Sequence, residues 1–193
     1  SRFPVRPLAR SGRMLALAAP LAVAVALAVG SPQVAAQTAA QAPPSFERGP
    51  VTGLPLPRWV TISSNPANMR RGPGTDYAKK YVYRRAGLPV EITAEFDHWR
   101  RIRDPDGAEG WMHKALIDGE RSVIVTEIDG NQSLRPMFAE PDPASEVVAL
   151  LEPGVQAHLE ACEGAWCRVS VAERSGFMPR DVLWGVYPDE TVP

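Results

Sequence analysis

The chain has 193 residues and a formal net charge of −1, and its length allows one or two domains. The small net charge hides an asymmetry. Lys and Arg outnumber Asp and Glu by 12 to 9 over 58–121 and are outnumbered by 12 to 4 over 122–193. A basic half beside an acidic half argues against an extended nucleic-acid footprint, so we expect no nucleic-acid partner.

The first residues have the order of an export signal. A leader with four arginines precedes an apolar run over 14–29 and small residues at Val34-Ala35-Ala36. This order predicts a signal peptide over 1–36. The alternative is an uncleaved anchor, but the run contains Pro20 and is shorter than the roughly 20 residues that span a bilayer core. We expect a periplasmic or extracellular protein with no stable membrane insertion after cleavage.

Residues 37–57 are rich in Ala, Gln, Pro and Gly and contain few large apolar side chains. Such a composition predicts an extended, semi-rigid tether and not a packed segment.

The remainder of the chain is a tandem repeat. Four landmarks of the first copy return in the second at an offset of 65 to 67 residues, which predicts two related domains over 58–120 and 121–193. The landmarks are Met69-Arg70 with Leu134-Arg135, Gly87 with Gly154, Trp99-Arg100-Arg101-Ile102 with Trp166-Cys167-Arg168-Val169, and Gly110-Trp111 with Gly176-Phe177.

Both copies consist of short runs of alternating polarity separated by Gly and Pro, as in 80–84, 89–93 and 147–151. This spacing is typical of small all-β barrels or sandwiches, and we predict two small β-barrels in series. Brief helical turns are expected at 114–117 and 180–183, directly after the last strands.

The segment 68–77 resembles the signature Asn-x-Arg-x-Gly-Pro-x-Thr-x-Tyr of bacterial Src-homology-3-like (SH3b) domains. Trp99, Ile102 and Gly110-Trp111 match the last strands of that family. The resemblance implies an exported bacterial protein with two tandem SH3-like barrels and no known catalysis. Related domains elsewhere are cell-wall targeting modules attached to hydrolases.

The signature also has a physical interpretation. Gly72 and Gly74 flank Pro73, which predicts a sharp turn through positive φ between the first two strands. Tyr77 offers a flat amphipathic face. Copy two lacks this turn over 136–143, so we expect that it does not bind the same ligand.

Trp99 and Ile102 have an odd spacing, which places them on opposite faces of a regular strand. If Ile102 is in the core, Trp99 lies outside with Arg101 and is a candidate ligand platform. The alternative is burial of the ring in the core or between the copies. Trp111 and Phe177 directly follow Gly in a closing strand, and both are expected in the core.

Arginines interleave with aromatic residues in copy one, a combination suited to carboxylates on peptides or sugars, such as peptidoglycan stem peptides. An ordinary solvated face is the alternative. The candidate ligand-binding residues are Arg70, Arg71, Tyr77, Trp99, Arg100 and Arg101.

Cys162 and Cys167 flank a predicted hairpin tip, where opposed Cβ atoms lie close enough for a disulfide. Export favours this bond. The equivalent positions of copy one are Glu95 and Arg100. A zinc site with His158 is excluded, since four residues along a strand separate ligands by about 13 Å.

No metal site, cofactor loop or nucleophile constellation is recognisable, so we expect no cofactor and no enzyme. The leading hypothesis is a non-catalytic envelope module that binds peptidoglycan or an envelope protein through copy one. The alternative is a structural or assembly partner without a small ligand, in which Trp99 and Trp166 pack between the copies.

Overall fold

The computed structural model describes residues 47–127, 130 and 132–193. These residues belong to one compact unit that spans 42–193. The predicted signal segment 1–36 and the first part of the tether, 37–46, lie outside the described residues. Within the described ranges no helix is long and apolar enough to cross a membrane.

Two short strands, β1 Glu47–Arg48 and β2 Pro55–Leu56, precede copy one. The strands of copy one are β3 Arg58–Ile62, β4 Ala67–Arg70, β5 Lys79–Tyr83, β6 Pro89–Phe96, β7 Trp99–Arg103, β8 Glu109–His113 and β9 Ile117–Asp118. They form a single curled antiparallel sheet in the order β5-β4-β8-β7-β6-β3-β9. A 3₁₀ turn at Lys114–Leu116 leads into β9.

The strands of copy two are β10 Ser122–Val125, β11 Arg135–Phe138, β12 Val147–Leu151, β13 Gln156–Glu163, β14 Trp166–Val171, β15 Arg174–Pro179 and β16 Leu183–Trp184. Their order, β12-β11-β15-β14-β13-β10-β16, repeats that of copy one strand for strand, and a 3₁₀ turn lies at Arg180–Val182. The prediction of an all-β fold with two tandem SH3-like domains is confirmed.

Each copy has its own core, built from alternate residues of its strands. In copy one, Ile102 of β7 and Met112 of β8 are fully buried; in copy two, Val169 and Met178 occupy the same positions. Two separate cores of this kind explain why the sequence shows two weak copies of one pattern and not a single long one.

The glycines of β8 and β15 fix the true correspondence of the copies. A Cβ on Gly110 would lie 2.6 Å from Met69 Cγ, and one on Gly176 would lie 2.7 Å from Met137 Cγ. Met69 therefore corresponds to Met137, and Arg70 corresponds to Phe138. The predicted match of Met69-Arg70 to Leu134-Arg135 is therefore wrong by three residues. The partner of Met69 in copy two lies three residues further along the chain than the sequence comparison placed it, because the loop before β11 shifts the register.

Trp111 and Phe177 are not core residues, which corrects the expectation for them. Gly110 and Met112 point inward on β8, so the intervening Trp111 is on the outer face, and Phe177 lies likewise between Gly176 and Met178. The core position is occupied by Gly because Met69 and the Arg70 carbonyl fill the space that a side chain would need.

The part of the predicted tether that the structure describes is folded. Strands β1 Glu47–Arg48 and β2 Pro55–Leu56 pair antiparallel, and the loop between them packs against copy one. Val51 N and Thr52 N both donate to the Glu95 carboxylate, at 3.1 and 2.9 Å. Residues 47–57 therefore belong to the first domain, in contrast to the extended tether that their composition predicts.

Candidate functional site

The outer face of copy one carries aromatic and arginine side chains on four adjacent strands. Trp111 of β8 lies directly between Arg70 of β4 and Arg101 of β7. One row along, Trp99 lies between Phe96 and His113. We name this surface the aromatic–arginine face; it consists of Arg70, Phe96, Trp99, Arg101, Trp111 and His113.

The rings of the second row are held by edge contacts. Trp99 meets the His113 ring at a centroid distance of 5.4 Å and an interplanar angle of 84°. Phe96 is exposed at the end of β6, and Trp99 is half-buried on the outer face with Arg101 and Arg103 on the same side. An aromatic surface held in this way can stack against a flat ligand group without losing much conformational entropy.

Arg101 is the exposed cation of the face. Its guanidinium lies 2.5 Å from Glu109 Oε2, and both side chains remain open to solvent. An exposed pair of this kind is worth at most about 1 kcal/mol, so a ligand carboxylate can compete for the guanidinium.

Arg70 is tied to the signature loop that follows it. Its Nη1 donates to the carbonyls of Thr75 and Tyr77, at 2.8 and 2.7 Å, and so holds the loop over 71–78 closed. This loop joins β4 to β5, the second and third strands of the copy and not the first two. Arg70 thus positions the loop as well as lining the face.

The glycines of the signature allow close packing and are not needed for a positive φ. Neither Gly72 nor Gly74 has a positive φ. A Cβ on Gly72 would lie 2.4 Å from the Tyr77 ring, which covers the turn. Tyr77 and Arg71 are both exposed on this loop, apart from the two rows of the face.

Arg100 is removed from the candidate ligand-binding residues by its burial. It is 5% exposed, and its Nη1 donates to the backbone carbonyls of Asp97 and Trp99, both at 2.9 Å. Its Nε lies 3.6 Å from Glu95 Oε1. Neighbouring residues of a strand point to opposite faces, so Arg100 and Arg101 cannot act together on one ligand.

The Glu95 carboxylate is fully buried and accepts hydrogen bonds from two segments. Thr52 Oγ1 and Arg58 Nη2 both donate to Oε1 at 2.7 Å, in addition to the backbone donors of the 51–52 loop. Burial alone would raise the pKa of this carboxyl, but the hydrogen bonds from Thr52, Arg58 and Val51 outweigh it and lower the pKa to about 2.

In copy two the equivalent positions are joined covalently. Cys162 and Cys167 form a disulfide, with their Cα atoms 4.1 Å apart across the β13–β14 hairpin. The Glu95 and Arg100 pair of copy one has the same register. The two hairpin tips are thus closed by different chemistry at the same pair of positions.

The copies meet through tryptophans other than those the sequence suggested. Trp59 of β3 contacts Trp184 edge-on at 4.8 Å and Tyr187 at 5.4 Å between ring centroids. Tyr187 Oη donates to Glu91 Oε1 at 2.8 Å. Trp99 instead contacts His113 of its own copy, and Trp166 contacts Phe138 of copy two at 5.7 Å.

Copy two carries a groove of about 910 Å³ beside its hairpin tip. Trp166 lines it together with the acidic Asp181, Asp189 and Glu190. Arg180 is buried there and donates to the carbonyls of the C-terminal segment 187–188. Because the guanidinium of Arg180 already donates to these carbonyls, the groove does not offer a ligand carboxylate an exposed cation of the kind found in copy one.

Sequence reasoning missed Phe96, Trp111 and His113 in the face, and Trp59 and Tyr187 at the contact between the copies. Strand alternation from Met112 could have placed Trp111 and His113 outward, and the hairpin tip between Phe96 and Trp99 could have placed Phe96 beside Trp99. In the described part of the chain no cluster of three or more His, Cys, Asp and Glu could hold a metal ion.

The profile of the bacterial SH3 domain matches residues 63–119 and 132–185, more than half of the chain. The chain belongs to the bacterial SH3 domain family. The two matched regions are the two copies described above, so each copy is a bacterial SH3 domain. No curated protein matches the chain.

Among solved structures, the chain is similar to NlpC2 and NlpC1 from Trichomonas vaginalis, each at 11% identity and a TM-score of 0.31. The match covers 66% of this chain and 48% of NlpC2, and 73% of this chain and 50% of NlpC1. The chain thus spans about half the length of these proteins, and a likeness at this level supports no statement about function.

Proposed function

We propose that the protein is an exported, non-catalytic module of the bacterial cell envelope that binds a carboxylate-bearing ligand through its first SH3 domain. Peptidoglycan stem peptides are the leading candidate, and a carboxylate-rich envelope protein is the second. The observation that carries the proposal is the aromatic–arginine face, in which Trp111 lies between Arg70 and Arg101.

The chemistry of the face favours a flat anionic group. Guanidinium groups bind carboxylates through paired hydrogen bonds, and the aromatic rings give apolar area on which sugar or peptide groups can pack. Arg101 is exposed and only weakly neutralised by Glu109. A ligand here gains both a charge-assisted hydrogen bond and ring contacts.

The second domain keeps one of the two cations of this surface. Phe138 replaces Arg70 at the edge of the face and is buried against Trp166, and Phe177 replaces Trp111. Arg168 remains, with its guanidinium 5.9 Å from the Phe177 ring and an ion pair to Glu160. We therefore assign the ligand to the first domain alone.

Membership of the family and the disulfide support the envelope as the site of action. Bacterial SH3 domains are often cell-wall binding modules. Disulfides such as Cys162–Cys167 form and persist in oxidising compartments outside the cytoplasm.

The test is co-sedimentation of the purified protein with isolated peptidoglycan, for the wild type and for a Trp99→Ala/Arg101→Ala variant. Both substitutions are on the outer face, so the fold should persist. We expect retention by the wild type that falls at least tenfold in the variant and weakens with salt, since removal of a hydrogen-bonded charge and a ring typically costs more than about 1.4 kcal/mol.

The matched control is Trp166→Ala/Arg168→Ala in the second domain, which should retain wild-type binding. Peptidoglycan with amidated stem carboxylates should bind less than the native material. If the wild type is not retained, peptidoglycan is excluded and the carboxylate-rich protein partner becomes the candidate. If both double variants are retained equally, the assignment to the aromatic–arginine face of the first domain is wrong.

A further inference from the structure

The strands β5 and β12 occupy the same place in their two sheets, and each is a terminal strand. A terminal strand has one row of backbone N–H and C=O groups that its own sheet does not use, which makes it a template for another strand. On β12 the Val148 carbonyl accepts a hydrogen bond from Arg174, so an added strand would use the other groups of that edge.

Both edges also expose large apolar side chains. On β5, Tyr81 is 54% exposed and Val82 is 38% exposed; on β12, Val147 is 47% exposed and Leu150 is 58% exposed. Proteins usually protect such edges with charges along the strand, with proline or with a covering segment. In both strands the charged residues flank the exposed apolar residues at the two ends and do not lie between them.

The charged residues at the strand ends have opposite signs in the two copies. Lys79-Lys80 and Arg84-Arg85 stand at the two ends of β5, whereas Glu146 and Glu152 stand at the two ends of β12. The spans 79–85 and 146–152 are equal in length, about 20 Å along an extended strand. Among the described ion pairs none uses these side chains, which are all exposed.

The charges favour pairing of a β5 edge with a β12 edge over pairing of two β5 edges or of two β12 edges. Two β5 edges would bring lysine and arginine side chains together, and two β12 edges would bring glutamates together, both of which are destabilising. A β5 edge against a β12 edge places opposite charges at both ends and apolar side chains between them.

We propose that molecules of this protein assemble head to tail, with β5 of one chain adding as an antiparallel strand to β12 of the next. The interface is heterologous, because two different surfaces meet. Each pairing leaves one β5 and one β12 free, so assembly continues into a ring or a filament. This surface lies outside the aromatic–arginine face, so the proposal is independent of the ligand proposed above.

The test is sedimentation of the full chain over a range of concentrations at low and high salt. We expect masses that are multiples of the single-chain mass, that grow with concentration and that decrease at high salt. Two charge-reversal variants, Lys79→Glu/Lys80→Glu/Arg84→Glu/Arg85→Glu and Glu146→Lys/Glu152→Lys, should each sediment as a single chain.

Mixing provides the decisive result. In an equimolar mixture of the two variants, each β5 edge again finds a β12 edge of opposite charge, so assembly should return. The control variant Glu163→Lys/Glu173→Lys changes exposed charges away from β12 by the same amount and should assemble like the wild type. Circular dichroism of every variant should match that of the wild type.

A wild type that remains a single chain at every concentration and salt overturns the proposal. So does assembly of either charge-reversal variant alone to the wild-type extent, or a mixture of the two that stays monomeric while both remain folded.

Discussion

The two copies close the same hairpin tip with different chemistry. In copy one the tip positions hold a buried carboxylate and a buried guanidinium, Glu95 and Arg100. In copy two they hold the disulfide between Cys162 and Cys167. The sheet order and the buried positions around the tip are otherwise shared, so two different interactions link the same pair of positions in one fold.

Each tip also holds a segment that lies outside the seven-stranded sheet. Glu95 binds the loop at 51–52 that precedes copy one. The backbone of Cys162 exchanges two hydrogen bonds with Val192, which follows copy two, at 2.8 and 3.1 Å. Equivalent positions of the two copies therefore bind the segment that precedes the first barrel and the segment that follows the second. The contact in copy one depends on the charge of Glu95, and the contact in copy two depends on backbone hydrogen bonds.

The largest expected effect comes from removing the charge at the first tip. Glu95→Ala leaves Arg58 and Arg100 without their buried partner and leaves the backbone N–H groups of Val51 and Thr52 without an acceptor. Breaking a buried pair from one side costs about 3 kcal/mol or more. Urea denaturation of the variant should show this loss in the free energy of unfolding, whereas Glu163→Ala, on the exposed tip of copy two, should change it by less than about 0.5 kcal/mol.

Acid should reproduce part of this loss without a mutation. The pKa of Glu95 is lowered from 4.5 to about 2 in the folded protein, so its contribution to stability is present above pH 4.5 and is lost as the pH falls through 2. Protection of the 51–52 amides, measured relative to their intrinsic exchange rates, should fall over this window, and protection of the Cys162 amide should not. An equal loss of protection at both sites would contradict a charge-dependent contact in copy one alone.

Removing the covalent clip should cost less. The disulfide closes a loop with a sequence separation of 5, for which the chain-entropy model gives about 2 kcal/mol. Cys162→Ser/Cys167→Ser should lower the free energy of unfolding by about this amount and should abolish the difference between oxidised and reduced protein. A loss equal to that of Glu95→Ala would show that the two clips are energetically equivalent and not merely equivalent in position.

The sequence was sufficient to predict what depends on local pattern. Alternating polarity and regular Gly and Pro spacing predicted the barrels, and the positions of Cys162 and Cys167 around a hairpin tip predicted their bond. The burial of Arg100 was not predicted, because an arginine is usually a surface residue. Its guanidinium is buried because the carbonyls of Asp97 and Trp99 accept its hydrogen bonds and Glu95 lies opposite it on the adjacent strand.

The features that sequence reasoning misplaced depend on contacts between distant segments. Residues 47–57 have the composition of a linker, but they fold because a carboxylate more than 40 residues away binds Val51 and Thr52. Trp111 was expected in the core because nothing in the sequence shows that Met69 already fills the space beneath Gly110. Both errors arise where tertiary packing overrides local pattern.

The smallest effect is expected at the contact between the copies. Tyr187→Phe keeps the ring beside Trp59 but removes the hydroxyl that donates to Glu91 Oε1 at 2.8 Å. Glu91 is buried and still pairs with Arg103, so the loss should be about 1 kcal/mol. Tyr77→Phe is the matched control, since Tyr77 is exposed on the signature loop. If the two variants unfold at the same urea concentration as the wild type, the rings hold the copies together without help from the hydroxyl. If Tyr187→Phe alone is destabilised, the hydrogen bond to Glu91 contributes to holding the C-terminal segment of copy two against the sheet of copy one.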